Sequence, residues 1–418
     1  MIIPSIDIMG GDTVQLVGGK DHALSAGHPQ PIAEKFGMVG DVAVIDLDAA
    51  LGQGSNAALI APLLRTTRCR VGGGIRDIGK ATEWLNKGAH KIILGTAARL
   101  DLLSQLPKHR TIAALDALNG EIVVKGWREG TGQKVPERMK ELREMVGGFL
   151  VTFVEREGRM QGIDLAAVKE LVEAAGPARV TIAGGVTTAK DVADLDALGA
   201  DAQVGMALYT GKLGLAEAFC APFKSDRADG LWPTVVVDDL GQALGLVYSN
   251  LESIRAALAE KRGIYFSRQH GLWRKGESSG AVQELVGIDV DCDRDALRFV
   301  VRQLGAGFCH VGTRSCWGDD FSLQALLRTL SEKILAGGAA SYTSKLAADE
   351  AMLASKLTEE AAELAQAAAD NDVVHEMSDL IYFACVKLAK HNIDLSRVMK
   401  ELEMRHRQVV HRHGQVKE

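Results

Sequence analysis

The sequence predicts a multidomain chain with three regions of different fold class: a (β/α)8 barrel, then a mainly β α+β metal-binding domain, then an all-α domain. Three observations carry this. Short apolar runs alternate with helical patterns through the first region; all nine prolines lie at or before Pro233; and beyond Asp320 the chain turns alanine-rich with helical periodicity. The polar run Ser225-Asp226-Arg227-Ala228-Asp229-Gly230 reads as a linker, and a second break falls at Gly318-Asp319-Asp320. The regions are therefore 1–225, 226–320 and 321–418.

In the first region the strand-like runs are Ile2 to Ile6, Val42 to Leu47, Cys69 to Gly72, Lys91 to Leu94, Thr111 to Leu115, Phe149 to Val154, Val180 to Ala183 and Gln203 to Gly205. Eight βα units in this length suit a small closed barrel. An internal repeat supports the count. Ile6-Asp7 recurs as Leu115-Asp116, Gly73-Gly74-Ile75 as Gly184-Gly185-Val186, and Gly95-Thr96-Ala97 as Gly205-Met206-Ala207, at offsets of 109, 111 and 110. This spacing predicts a duplicated half-barrel.

The duplication also places chemistry. Asp7 and Asp116 fall at the C-terminal ends of the first and fifth strands, facing each other across the barrel mouth. The glycine turns at Gly73-Gly74 and Gly184-Gly185 leave backbone N–H groups free to bind phosphate. The expected ligand carries two phosphates, with its reacting part between two carboxylates. Either half alone is equally compatible with helix caps and tight turns; the symmetry favours a site.

Composition narrows the function classes. A net charge of -6, from 48 Lys+Arg against 54 Asp+Glu, argues against nucleic-acid coating. No run of about 18 apolar residues occurs, so no membrane span is expected. The opening Met1 to Asp7 lacks the basic and long apolar segments of a signal peptide. Clustered thiols in a reducing cytoplasm suggest metal before disulfide.

The middle region concentrates candidate ligands. In Asp291-Cys292-Asp293-Arg294-Asp295, an extended strand would put Asp291, Asp293 and Asp295 on one face, suited to Mg2+, and Cys292 on the other. Cys292, Cys309 and Cys316 would leave one open position on a tetrahedral Zn2+, as catalytic sites do. His310 is placed to move protons for water activated there. Upstream, Ser267, Arg268, Trp273, Lys275, Glu277 and Ser279 lie in segments whose cations and small hydroxyls suit an anionic nucleotide. In the helical region Glu359, Glu360 and Glu363 share a side, with Leu357, Ala361, Leu364 and Ala368 as the apolar stripe. Glu376 and Asp379 share a face of the next helix, beyond a break at Asp370-Asn371-Asp372. Five carboxylates converging between two helices call for Mg2+.

Each region resembles a known family. Ile2-Ile3-Pro4-Ser5-Ile6-Asp7, Val71-Gly72-Gly73-Gly74-Ile75-Arg76, Leu94-Gly95-Thr96-Ala97-Ala98 and Val124-Lys125-Gly126-Trp127 look like the histidine-biosynthesis isomerase that performs an Amadori rearrangement on a bis-phosphorylated aminoimidazole carboxamide ribotide. That resemblance implies Asp7 and Asp116 as base and acid, with Thr152, Gly95 and Thr96 in the substrate site. Departures stand at Gln15 and Met206, where the family has arginine, and at Glu157-Gly158-Arg159 in place of Asp-Gly-Thr; the loop after the first strand also looks short.

The middle region strongly resembles phosphoribosyl-AMP cyclohydrolase. This implies Cys292, Cys309 and Cys316 as zinc ligands in a site assembled across a dimer interface, and Asp291, Asp293 and Asp295 as the magnesium site. The Glu-Glu-x-x-Glu and Glu-x-x-Asp pattern, with Tyr342, Lys345 and Lys356, resembles phosphoribosyl-ATP pyrophosphohydrolase.

The order of regions resembles the fungal multifunctional histidine-biosynthesis proteins without their terminal dehydrogenase. It implies phosphoribosyl-ATP and phosphoribosyl-AMP as substrates, Zn2+ and Mg2+ as cofactors, and a homodimer formed through the hydrolase regions. The barrel reads either as the isomerase of the next step or as a non-catalytic binding or structural module. Both hydrolases are expected to work without it.

Overall fold

A computed structural model describes residues 1–19, 21–124, 127, 129–319, 321–337 and 341–409. Lys125 and Gly126 of the isomerase-like motif, and Asp320 at the expected boundary, lie outside the described residues. The first twelve strands are β1 (Ile2–Met9), β2 (Asp12–Val17), β3 (Asp21–Gly27), β4 (Val42–Asp46), β5 (Cys69–Gly72), β6 (Lys91–Leu94), β7 (Thr111–Leu118), β8 (Glu121–Val124), β9 (Glu129–Lys134), β10 (Gly148–Phe153), β11 (Arg179–Ala183) and β12 (Ala200–Val204). Eight of them, β1-β4-β5-β6-β7-β10-β11-β12, pair parallel in that order, and β12 returns to β1 to close the ring. All eight expected strands are present. The last begins earlier than its apolar run, because Ala200 and Ala202 pair in register with Val180 and Ile182. Ile93, Ile112, Leu150 and Ala183, from four of these strands, pack as one buried cluster with Ile45 and Ala114.

The duplication extends to the pairing register. After β1 the chain folds back as the hairpin β2–β3, and after β7 as β8–β9. Asp7 pairs with Val14 and Met9 with Asp12; 109 residues on, Asp116 pairs with Val123 and Leu118 with Glu121. The segment after the first strand, expected to be short, is thus a full counterpart of the one after the fifth.

Six further strands follow: β13 (Trp232–Asp238), β14 (Ala243–Ser249), β15 (Ile264–Ser267), β16 (Gly271–Arg274), β17 (Gln283–Val290) and β18 (Leu297–Gln303). They form a four-stranded sheet ordered β14-β13-β18-β17 and a separate β15–β16 hairpin.

The chain divides into two compact units: residues 1–307 together with the C-terminal segment from Met404, and Phe308–Glu403. Within the first, that C-terminal segment lies against the barrel. Arg110 is buried and donates to the carbonyls of Leu85, Ala89, His90 and Arg407, while the Val409 N–H donates to Asn86 Oδ1 (2.8 Å).

The second unit is helical, with helices Leu323–Ala336, Tyr342–Ala348, Glu350–Gln366 and Asp370–Lys390. Its core is Leu327, Leu330, Leu346, Leu353, Phe383, Cys385 and Val386. The helix break lies at 367–369, and Asp370 and Asp372 form the first turn of the next helix, where carboxylates complement the helix dipole. The expected apolar stripe is also rotated. Ala361 and Ala368 are exposed, and the inward line runs Leu353, Leu357, Glu360 and Leu364, which carries Glu360 inside.

Leu353 is fully buried, so Leu353→Ala should cost the second unit about 2–5 kcal/mol. Urea unfolding followed by circular dichroism should show a helical transition at lower denaturant, with the barrel transition unmoved.

Candidate functional site

At the barrel mouth β1 presents Asp7 and β7 presents Asp116. Burial pushes Asp7 up to about 6, against a hydrogen bond from the Ser5 hydroxyl at 3.1 Å. Burial also raises Asp116, against hydrogen bonds from Trp127 and Thr152; Thr152 stands directly opposite Asp116 in the β10–β7 register. A third carboxylate joins them. Burial and the charges of Asp7 and Asp116 push Glu157 up to about 7. Sequence reasoning registered Glu157 only as a departure from a motif; the signal that could have found it was a carboxylate just past the sixth barrel strand. Trp127 was quoted as part of a motif but not named as a site residue. Its ring lies against Gly19, so the two hairpins meet over the mouth.

The glycine turns repeat the symmetry. Gly73 (φ +93°) and Gly184 (φ +83°) both adopt the left-handed region, and a Cβ on either would strike a carbonyl at the end of the preceding barrel strand, Asp46 or Phe153. Gly74 and Gly185 follow, also at positive φ. Gly95 and Thr96 form an exposed turn after β6, with open space over Gly95. Its counterpart Gly205 differs, because the Gln15 side-chain amide fills the space over it. Gln15 is buried, and its Nε2 donates to the Val14 carbonyl (2.9 Å).

In the middle region the carboxylates come together by a different geometry from that expected. Residues 291–296 are not extended; they form the bend joining β17 to β18, with Arg294 at φ +71°. Asp291 Oδ1 accepts the N–H groups of Asp295 (3.1 Å) and Ala296 (3.2 Å), and the bend draws ligand atoms of Asp291, Asp293 and Asp295 within 4.8 Å of one another. The charge of Asp293 raises Asp295, as crowded carboxylates require without a cation. Cys292 is exposed, with its thiol 4.0 Å from Asp293 rather than turned to an opposite strand face.

Cys309 and Cys316 belong to the second unit and Cys292 to the first. Hydrogen bonds from the Val311 N–H, the Thr313 hydroxyl and Cys316 hold the Cys309 thiol below its ordinary range, which favours the thiolate a soft metal binds. His310 is exposed, with Nδ1 3.9 Å from Cys309 Sγ.

The nucleotide-suited residues lie along β15–β16 and the turn after it. Ser267 Oγ accepts the N–H groups of Gln269 and His270 and so shapes the hairpin turn. Arg268 stacks on the Tyr248 ring at 4.8 Å. Trp273 is partly exposed beside buried Lys275, and Glu277 and Ser279 are exposed.

In the second unit all five predicted carboxylates converge on Glu360, which is 6% exposed. It lies with Glu359 and Glu363 in one close group and with Glu376 and Asp379 in another. Among the described residues, the three groups that bring metal-capable atoms this close are all carboxylates. Burial raises Glu360, helped by Asp379 and Glu363, and burial with the charge of Glu363 raises Glu376. Lys356 Nζ offsets part of this charge, 2.8 Å from Glu359 and 3.8 Å from Glu360. Tyr342 is exposed, and Lys345 lines an open cavity of about 490 Å³ with Ser344 and Lys390.

A closed ring of eight parallel strands, with buried carboxylates and paired glycine turns at its mouth, defines the first region as a (β/α)8 barrel. The chain belongs to the histidine biosynthesis protein family, whose model matches residues 1–214. Phosphoribosyl-AMP cyclohydrolase matches residues 245–318 and phosphoribosyl-ATP pyrophosphohydrolase residues 323–406.

A histidine biosynthesis bifunctional protein of Schizosaccharomyces pombe is 46% identical over 49% of this chain and 49% of its own length. A trifunctional counterpart in Neurospora crassa is 34% identical over 82% of this chain and 38% of its own. An imidazole-4-carboxamide isomerase of Methanosphaerula palustris is 39% identical over 53% of this chain and 98% of its own. The chain thus spans about half or less of the fungal relatives and nearly all of the isomerase. No described helix is long and apolar enough to cross a membrane.

The raised carboxylates have a measurable consequence. The native second unit holds the protons of Glu360 and Glu376 more tightly than the unfolded chain does, so its metal-free stability should fall as pH rises through and above the ordinary glutamate range. Urea melts at about pH 5 and about pH 8 should show this loss. Mg2+ or Mn2+ should reverse it, and Glu360→Gln should flatten it.

Proposed function

We propose that the chain catalyses successive steps of histidine biosynthesis: release of pyrophosphate from phosphoribosyl-ATP in the helical region, then opening of the purine ring of phosphoribosyl-AMP in the middle region. The convergence of five carboxylates on buried Glu360, in the region that matches a pyrophosphohydrolase, carries this reading. Divalent cations supply Lewis acidity and charge neutralisation at such sites.

This chain's residues do the rest. Glu359, Glu360, Glu363, Glu376 and Asp379 would hold Mg2+, while Tyr342, Lys345 and Lys356 bind the anionic substrate. In the middle region Cys292, Cys309 and Cys316 would hold Zn2+, and Asp291, Asp293 and Asp295 would hold Mg2+. His310 moves the proton, and Ser267, Arg268, Trp273, Lys275, Glu277 and Ser279 grip the nucleotide. A homodimer through the hydrolase regions is the arrangement we favour. The exposed apolar side chains Val373, Val374, Met377 and Ile381 along one helix support it. We place the protein in the cytoplasm, where thiols stay reduced.

For the barrel we propose isomerisation of the ring-opened product, with Asp7 taking the carbon-bound proton and Asp116 protonating the ring oxygen. Glu157 stands in reserve as a second protonated carboxyl, and the glycine turns hold the phosphates. A non-catalytic barrel is the second reading. The Gln15 amide over Gly205 favours it, because it fills the turn whose counterpart at Gly95 is open.

Two experiments test these assignments. Cys309→Ala should abolish ring opening and spare pyrophosphate release, while Glu360→Gln should do the reverse; equal loss of both in folded protein would contradict separate sites. Isomerisation by the intact chain should rise as pH passes through about 6, where Asp7 loses its proton, and Asp7→Asn should slow it by roughly 10²–10⁴-fold. No turnover at saturating substrate would leave the barrel a binding or structural module.

A further inference from the structure

The carboxylate bend between β17 and β18 is fastened to the barrel. Arg294, in the middle of that bend, turns its guanidinium away from the three flanking carboxylates. It donates Nε to Asp196 Oδ2 (2.5 Å) and Nη2 to Asp196 Oδ1 (2.6 Å). Asp196 lies in the barrel helix Ala189–Ala197, and both side chains are largely buried, 16% and 12% exposed. Asp196 Oδ1 also accepts from the Met1 amino group (2.9 Å). A second tie runs through the backbone, where the Arg294 carbonyl accepts the Lys224 N–H (2.9 Å).

Two physical consequences follow. A left-handed backbone at a residue other than glycine is strained, and it persists where surrounding contacts fix it; here the contacts are the bidentate pair and the carbonyl bond. The second concerns charge. An arginine flanked by Asp293 and Asp295, with Asp291 nearby, would otherwise lay its cation across those carboxylates and compete with a metal. The pair with Asp196 commits that cation elsewhere.

We infer that Asp196 is a positioning residue for the cation site of the middle region, so that the barrel is part of that site whether or not it is an isomerase. The inference rests on reading Asp291, Asp293 and Asp295 as a divalent-cation site. It replaces, for the middle region, the expectation that the hydrolases work without the barrel.

The test uses the full chain and Mn2+ alone, with bound ion counted by electron paramagnetic resonance. The difference between unmodified protein and Asp293→Asn isolates the bend from the helical carboxylates. Asp196→Asn and Arg294→Gln should each weaken that Asp293-dependent binding about 10–100-fold, the usual effect of losing a group that orients ligands. The double variant should be no weaker than either single one, and Asp196→Glu should recover part of the loss. Arg294→Gln lies outside the barrel, so it carries the test if Asp196→Asn disturbs folding. Unchanged binding in folded Asp196→Asn or in Arg294→Gln, or additive losses in the double variant, would overturn the inference alone. Absence of any Asp293-dependent binding in the unmodified chain would overturn the cation reading itself, and the inference with it.

Discussion

Repulsion between carboxylates packed into small volumes is the constraint on which much of this molecule turns. It recurs at the barrel mouth among Asp7, Asp116 and Glu157, in the bend at Asp291–Asp295, and between two helices around Glu360. Each place settles it differently. At the barrel mouth burial raises all three carboxyls, Asp7 to about 6 and Glu157 to about 7, so that protonated and ionised forms of these two coexist near neutral pH. In the bend and between the helices the charges stay dense and call for cations. One chemical group thus occurs in two kinds of surroundings, and burial and spacing set them apart.

The fold was largely legible because duplication leaves an arithmetic trace. Asp7 and Asp116, and the glycine turns behind them, stand at nearly one offset in the sequence, and the strand registers repeat at that same offset. Helical residues were legible as types and less so as faces. Ala361 and Ala368 were assigned inward because alanine is apolar, yet alanine is also the cheapest surface residue of a helix; Glu360 sits inward instead. The bend at Asp291–Asp295 was found for a partly wrong reason. Alternation along a strand predicts converging carboxylates, but a left-handed residue and two N–H bonds to Asp291 bring them together. Glu157 escaped because a motif departure draws the eye to what is lost, and only the fold shows a carboxylate returning to the same place.

The tie between Asp196 and Arg294 changes how the barrel is to be valued. A barrel can matter to its neighbour through one buried ion pair, without turning over any substrate. Selection on the neighbour would then preserve the outer helix of the barrel independently of the mouth, where Gln15 already departs from the resemblance.

The C-terminal segment beneath the barrel has a consequence of its own. Because residues 404–409 return to the first unit, Phe308–Glu403 is an insertion in the chain rather than an appendage at its end. A single backbone cut at either junction would leave the helical unit still leashed by the other. Shedding the helical unit would need two cuts, or one cut and the release of Arg407 from the carbonyl cradle of Arg110.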